Sequence, residues 1–194
     1  MAQEDFRPMK DVNVFKIQLE ERTKSVNSIL ATFQQEKFMS ILSQQLIAEG
    51  SLQFKVPDKV KWTYVNPYKY AIILNGKEII IDDDGNVNAF SVGSSKMFSE
   101  MNQLIVNSVQ GNVLDETKFH IEYFENDTFN MSHLKPKDSK QMGTLISDVY
   151  VYFDKNDFSV SKIKLVEPEG DYTLISFSDK QFNKAISDDV FSKK

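Results

Sequence analysis

Apolar and polar residues alternate along most of the chain, and this period of two is typical of strands with one buried face. The alternation starts at Ser28, where Ile29, Ala31 and Phe33 alternate with polar residues, and it is clearest from Gln44 to Lys61. Clusters of Pro, Gly, Asn and Asp separate the alternating segments, as expected for turns. The pattern predicts ten or eleven strands, among them 68–75, 78–82, 87–92, 119–124, 128–134, 145–153, 159–166 and 172–177.

Two segments have helical spacing instead. Over residues 11–24, Val12, Phe15 and Leu19 recur on one helical face, and Asp11 is placed to cap the helix. Over residues 95–109 the apolar positions again follow a helical period, with a serine before them and Gly111 after them. We therefore predict one N-terminal helix and one helix inserted between strands.

Short turns between successive strands predict an antiparallel meander. Its best hairpin turns at Asn75-Gly76, a pair that favours a two-residue turn. A single open sheet of so many strands tends to curl, and curling creates a concave face that apolar groups must fill. No change of composition marks a second domain, so residues 1–194 are interpreted as one domain of the mainly β (α+β) class.

Composition excludes several functions. The net charge of −5 lacks the basic footprint of a general nucleic-acid binder. There is no cysteine, so disulfides, thiolate nucleophiles and cysteine zinc sites are excluded. No run approaches the roughly 18 apolar residues of a membrane span. The first ten residues contain no hydrophobic signal core, which fits either a cytoplasmic protein or an exported one whose signal has been removed.

Candidate catalytic groups are sparse. His120 and His133 lie in predicted strands without an identifiable nucleophile partner, and we interpret both as structural or surface residues. Three Ser-x-x-Lys matches lie in strand-like segments, where serine and lysine do not share a helical turn. The run Asp82-Asp83-Asp84-Gly85 places its glycine too early for a calcium loop. We expect no enzyme activity, no metal and no cofactor.

In the predicted strands of the segment 46–81, the residues on one face, that is every second residue, are consistently apolar. A packed core is the first interpretation of this parity, and a cavity for lipids or other apolar ligands is the second. The methionines of the 95–109 helix favour the second, since methionine suits adaptable apolar surfaces. The apolar wall consists of Leu52, Phe54, Val56, Val60, Trp62, Tyr64, Ile72, Leu74, Ile79 and Ile81.

A family resemblance favours the cavity. Phe33-Gln34-Gln35, the block from Gly50 through Pro57 to Trp62 and Tyr64, then Asn66-Pro67 and Leu74-Asn75-Gly76-Lys77, resemble the periplasmic outer-membrane lipoprotein carriers, the LolA-like family. Downstream, the segments 167–177, 182–183 and 189–191 resemble the later part of the same family. The resemblance spans about residues 12–191 and is most specific in its central block.

The resemblance implies a curved antiparallel sheet forming a half-open barrel, with helices as a lid over the concave face. It implies a periplasmic carrier, with its export signal removed, that ferries acylated lipoproteins or other lipids toward the outer membrane. An inner-membrane release complex and an outer-membrane acceptor are the implied partners, and a monomer is expected. The acyl chains would contact the apolar wall, under lid residues Phe15, Leu19, Met97, Met101 and Leu104.

One position departs from the family pattern. The arginine that precedes the proline in well-known carriers is replaced by Val56, while Lys55 is expected to face outward. Lid closure would then depend on apolar contacts. A lipid-binding or envelope-sensing regulatory module on the same fold is the alternative function, and a lipid or glycan hydrolase ranks below both.

Overall fold

The computed structural model describes residues 5–42, 44–76, 78–91, 114–138 and 142–192. Its one helix within these ranges is α1 (Val12–Ser25). The strands are β1 (Arg7–Pro8), β2 (Ser28–Met39), β3 (Gln44–Lys55), β4 (Lys59–Asn66), β5 (Tyr70–Asn75), β6 (Glu78–Asp83), β7 (Asn86–Ser91), β8 (Phe119–Glu125), β9 (Phe129–Pro136), β10 (Asp148–Asp154), β11 (Val160–Val166) and β12 (Tyr172–Phe182). Short 3₁₀ turns occupy Ser40–Leu42, Met142–Thr144 and Asp188–Phe191.

The twelve strands of the described ranges form one sheet in the order β1-β8-β9-β10-β11-β12-β2-β3-β4-β5-β6-β7. Neighbouring strands are antiparallel, and β1 and β7 are the two edges, so the sheet curves without closing. The curved half-open barrel is confirmed. The predicted meander holds within β2–β7 and within β8–β12, whereas β12 pairs with β2 and β1 pairs with β8. The predicted helix over 95–109 lies outside the described residues.

Helix α1 begins where its sequence predicts. The Asp11 carboxylate accepts a hydrogen bond from the Val14 amide at 3.1 Å, which satisfies one of the unpaired donors of the first turn. Phe15 and Leu19 are buried against the concave face of β8–β11. The exposed opposite side includes Ile17. The helix therefore lies across one half of the sheet with its apolar stripe inward.

The hairpin between β5 and β6 turns one residue later than predicted. Asn75 pairs with Glu78 and ends β5, so it is not a turn residue, and Gly76 follows it with φ +62°. A turn of this kind requires positive φ, which glycine adopts without steric cost. The glycine thus fixes the register, and the apolar residues of both strands keep their predicted faces.

The outer face of β5 and β6 is also buried, because the C-terminal segment crosses it. Ile73 and Ile80 pack against Ile186 and Phe191, and Phe191 is completely buried. Lys55 faces the same side, as its parity predicts, and its amine donates to the Ile186 carbonyl at 2.8 Å. Strand β3 is thereby linked to the end of the chain.

Candidate functional site

The register of β2 to β6 brings the apolar wall together on the concave face. Ile29, Phe54, Val60, Leu74 and Ile79 form one row of paired residues across five strands. A second row runs from Ala31 through Leu52, Trp62, Ile72 and Ile81. Side chains of directly opposite residues on neighbouring strands contact each other, so the two rows make a continuous apolar surface.

The structure buries these wall residues to different degrees. Leu52, Phe54, Val60, Trp62, Leu74 and Ile79 belong to one buried cluster, and Tyr64, Ile72 and Ile81 pack at its margin. Val56 does not join them. Strand β3 ends at Lys55, so the alternation stops there, and Val56 lies at the rim with 38% of its surface exposed.

Aromatic rings fill the centre of the wall. The Phe33 ring lies 4.4 Å from the Trp62 ring and 5.2 Å from the Tyr64 ring, measured between centroids. Burial raises the pKa of the Tyr64 phenol to about 12. The phenol therefore stays protonated at neutral pH and donates to Gln35 Oε1 at 2.8 Å. This half of the concave face is packed more like a core than an empty groove.

A cavity lies beside these rings, between α1 and the concave face. The space that admits the centre of a water-sized molecule is about 40 Å³, within an empty volume of about 490 Å³ that includes open solvent at the mouth. With α1 seated, the cavity therefore offers far less room than a typical small-molecule site, which spans roughly 300–1,000 Å³. Leu19 and Val26 form its helix side, and Leu52 and Phe177 contribute to its floor. The full set of lining residues is Leu19, Arg22, Thr23, Val26, Ile29, Ala31, Leu52, Phe158, Ser159, Val160, Phe177, Lys180 and Phe182.

The cavity only partly coincides with the predicted site. Leu52 of the apolar wall and Leu19 of the predicted lid line it, whereas Phe15 anchors the helix beside it. Its centre is displaced toward β2, β11 and β12, because rings and isoleucines already fill the space over β4 to β6. Met97, Met101 and Leu104 lie outside the described residues.

Sequence reasoning missed the cavity's polar residues. Arg22 and the C-cap residue Val26 lie on the same helical face as Phe15 and Leu19. A charged residue on this otherwise apolar face was the one sequence signal that could have indicated a polar group in the cavity. Lys180 is on β12, where a change of register interrupts the strand between Ser178 and Gln181. The period of two is lost at such an irregularity, so its direction could not be predicted.

His133 is held by acidic and aromatic neighbours outside the cavity. Its Nε2 lies 2.7 Å from Asp148 Oδ1, its Nδ1 lies 3.3 Å from Glu122 Oε2, and its ring stacks on Tyr150. The adjacent Ser132 points to the other face of β9, since successive side chains of a strand alternate. This arrangement fits a structural histidine.

Within the described ranges, no three or more His, Cys, Asp or Glu side chains are placed to hold a metal ion. Among the same residues, no helix is long and apolar enough to cross a membrane.

An open antiparallel half-barrel with a helix across its concave face and a cavity beneath that helix defines the architectural class of this protein. The family model described as "Outer membrane lipoprotein carrier protein LolA" matches residues 24–194. The chain belongs to this family, as its central sequence block predicts. A comparison with curated protein sequences found no match.

Solved structures share the fold at low sequence identity. An uncharacterized conserved protein from Thermus thermophilus has a TM-score of 0.58 and 7% identity, over 93% of this chain and 92% of its own. The Mycobacterium tuberculosis lipoprotein LppX has a TM-score of 0.51 and 11% identity, over 90% of this chain and 96% of its own. The Pseudomonas aeruginosa MucA/MucB complex has a TM-score of 0.52 and 12% identity, over 93% of this chain but 60% of that one.

Proposed function

We propose that this protein is a periplasmic carrier that shelters the acyl chains of lipoproteins or other lipids and ferries them toward the outer membrane. The observation that carries the proposal is the apolar cavity between α1 and the concave face. Membership of the lipoprotein carrier family supports the same function. An inner-membrane donor and an outer-membrane acceptor are the partners that such a task requires.

The energetics of lipid transfer explain why a sheltered cavity is needed. Burying an acyl chain contributes about 0.8 kcal/mol per CH₂, so a free chain in water is strongly disfavoured. A carrier must nevertheless release its cargo, which a movable cover over the cavity permits. Helix α1 is that cover in our proposal, because it forms one side of the cavity and is the one α-helix of the described residues, packed on the sheet without belonging to it.

The size of the cavity limits what it holds while α1 is seated. The space of about 40 Å³ that is open to a water-sized molecule is too small for an acyl chain. Binding of any acyl chain therefore requires α1 to move away, and the apolar wall would then provide the contact surface. Phe54, Val60, Trp62, Tyr64, Ile72, Leu74, Ile79 and Ile81 are proposed as that surface, while Val56 remains at its rim.

Filling the cavity tests the proposal without burying a charge. Ala31 is buried on β2 and lines the cavity floor, so the ring in Ala31→Phe would occupy space meant for an acyl chain. We expect at least a tenfold loss of affinity for acylated lipopeptide, measured by isothermal titration calorimetry and by native mass spectrometry.

The matched control is Gln34→Phe, which adds the same ring to the outer face of the same strand, where Gln34 is exposed. It should bind like the wild type. Overpacking by Ala31→Phe costs about 1–3 kcal/mol, so thermal unfolding must show a folded variant, and Ala31→Leu provides a smaller change. Undiminished binding by folded Ala31→Phe would exclude this cavity as the acyl site.

An envelope-sensing regulatory module is a second candidate, favoured by the shared fold with MucB, which is found in complex with MucA. A carrier should transfer bound lipopeptide to acceptor vesicles. A regulator should retain it and change its affinity for a protein partner.

A further inference from the structure

Among the described residues that line the cavity, two are cationic and none is a carboxylate. Arg22 lines it from α1 and Lys180 lines it from β12, while the remaining lining residues are apolar or carry hydroxyl groups. This placement contrasts with the whole chain, whose net charge is −5 and would repel anions on average. A pair of cations in an apolar cavity has a desolvation cost that a bound anion would offset.

Arg22 has donor capacity that the protein leaves unused. Its guanidinium lies over the Phe182 ring, 4.0 Å from the centroid, which fixes the plane of the group. Its Nε is buried without a hydrogen-bond partner among the described residues. Its Nη2 lies 3.8 Å from Asp157 Oδ2, which is too long for a hydrogen bond. A guanidinium held flat with a free donor edge suits a carboxylate or a phosphate.

Asp157 is held by hydrogen bonds in a turn, and it also attracts both cations from outside the cavity. Its Oδ1 accepts hydrogen bonds from the amide and the hydroxyl of Ser159, at 2.9 and 2.6 Å, in the turn before β11. Burial by itself would raise the pKa of this carboxyl, but the two bonds from Ser159, together with the nearby charges of Lys180 and Arg22, outweigh it and lower the pKa. Asp157 therefore remains ionised as a turn residue, and it does not line the cavity.

Lys180 is held by neutral groups. Its amine donates to Ser159 Oγ at 2.6 Å and to Ser161 Oγ at 3.1 Å. Burial lowers the pKa of this amine, and the nearby Asp157 and Asp154 oppose the shift. The hydroxyls position the ammonium at the cavity, and Asp157 and Asp154 act on it through space without a direct hydrogen bond among those that the described residues show.

We propose that the cavity, once widened by movement of α1, binds a single-chain amphiphile with an anionic head, whose carboxylate or phosphate oxygens contact Arg22 and Lys180. The acyl tail then lies along Leu19, Leu52 and Phe177. The proposal rests on the acyl-chain function proposed above and adds the chemistry of the head group.

Titration of the wild-type protein with probes of equal chain length tests this proposal. The probes are palmitate, palmitoyl lysophosphatidylglycerol, hexadecanol and hexadecyltrimethylammonium. We expect at least one of the anionic probes to bind tenfold or more tightly than hexadecanol and the cation, with the advantage decreasing in high salt. Tighter binding of palmitate would identify a carboxylate site, and tighter binding of the lysophospholipid would identify a phosphate site.

The double variant Arg22→Gln/Lys180→Gln should bind the anionic probes no more tightly than hexadecanol, while its affinity for hexadecanol stays unchanged. Lys24→Gln/Lys164→Gln removes the same charge from positions outside this cavity and should retain the preference. If the double variant does not fold, the charge-retaining Arg22→Lys tests the planar contact, and it should lower the preference severalfold.

The outcomes separate the two proposals. Equal affinity of the wild type for all four probes, or a preference that survives in the folded double variant, would overturn the anionic head-group site and leave the carrier function standing. Failure of every probe and of acylated lipopeptide to bind would overturn both.

Discussion

Replacing Gly50 with alanine is expected to prevent formation of the native sheet, or to lower the free energy of unfolding by roughly 4 kcal/mol or more. Strand β3 passes so close to its neighbours here that a Cβ would lie 1.9 Å from the Thr63 carbonyl oxygen and 2.6 Å from the Phe33 ring. The carbonyl belongs to the backbone of β4 and cannot rotate away. Urea unfolding followed by circular dichroism measures the effect.

The position of Gly50 explains why the cost should be so high. It pairs with Phe33 on one side and Tyr64 on the other, next to a register irregularity between β3 and β4. The Phe33 ring lies over the missing side chain and contacts the rings of the wall. An added methyl group would displace that ring and the strand together.

Gly85→Ala is the control for Gly50→Ala. Gly85 has φ +93° but no atom within 4 Å of an added Cβ, so only backbone strain of about 1–3 kcal/mol applies. Equal and small effects of the two substitutions would contradict the close strand packing.

Phe15→Ala should lower the free energy of unfolding by about 3–5 kcal/mol, since it removes the largest buried side chain of α1. The Phe15 ring is 3% exposed and meets the Phe153 ring edge-on at 5.4 Å between centroids. It also approaches the Tyr123 ring at 6.2 Å. Chemical denaturation quantifies the loss.

Phe15→Ala also tests whether helix α1 acts as the movable cover of the cavity. Without this anchor α1 should separate from the sheet more often, so its amides should exchange hydrogen faster than those of β10. Ile17→Ala, on the exposed side of the helix, is the control and should change stability by less than about 0.5 kcal/mol. An unchanged stability of Phe15→Ala would show that α1 does not cover the sheet in solution.

Local sequence patterns were enough to predict the sheet. Each alternating segment became a strand because one face is buried, and the turns followed from glycine, proline and acidic residues. Strand β1 was not predicted, because a strand of two residues is too short to show an alternating pattern. The burial of Ile73 and Ile80 was not recognised, because it depends on Phe191 at the distant C-terminal end of the chain.

The site was harder to predict than the fold. Strand parity identified which residues face inward, and the structure brings most of them into one cluster. Parity does not distinguish a filled core from a cavity, since that depends on how rings such as Phe33 and Trp62 pack. Arg22 and Lys180 become neighbours of one cavity only when α1 and β12 meet, and no local period encodes that contact.

Quenching of Trp62 by a brominated acyl chain is the most direct test of the central claim, that the concave face receives lipid. Trp62 is the only tryptophan of the chain, is 5% exposed, and pairs with the cavity residue Leu52. Titration with dibromostearate should quench its fluorescence saturably in the wild type and much less in Ala31→Phe. Unquenched fluorescence, while native mass spectrometry shows the brominated lipid bound, would place the lipid elsewhere and contradict the account.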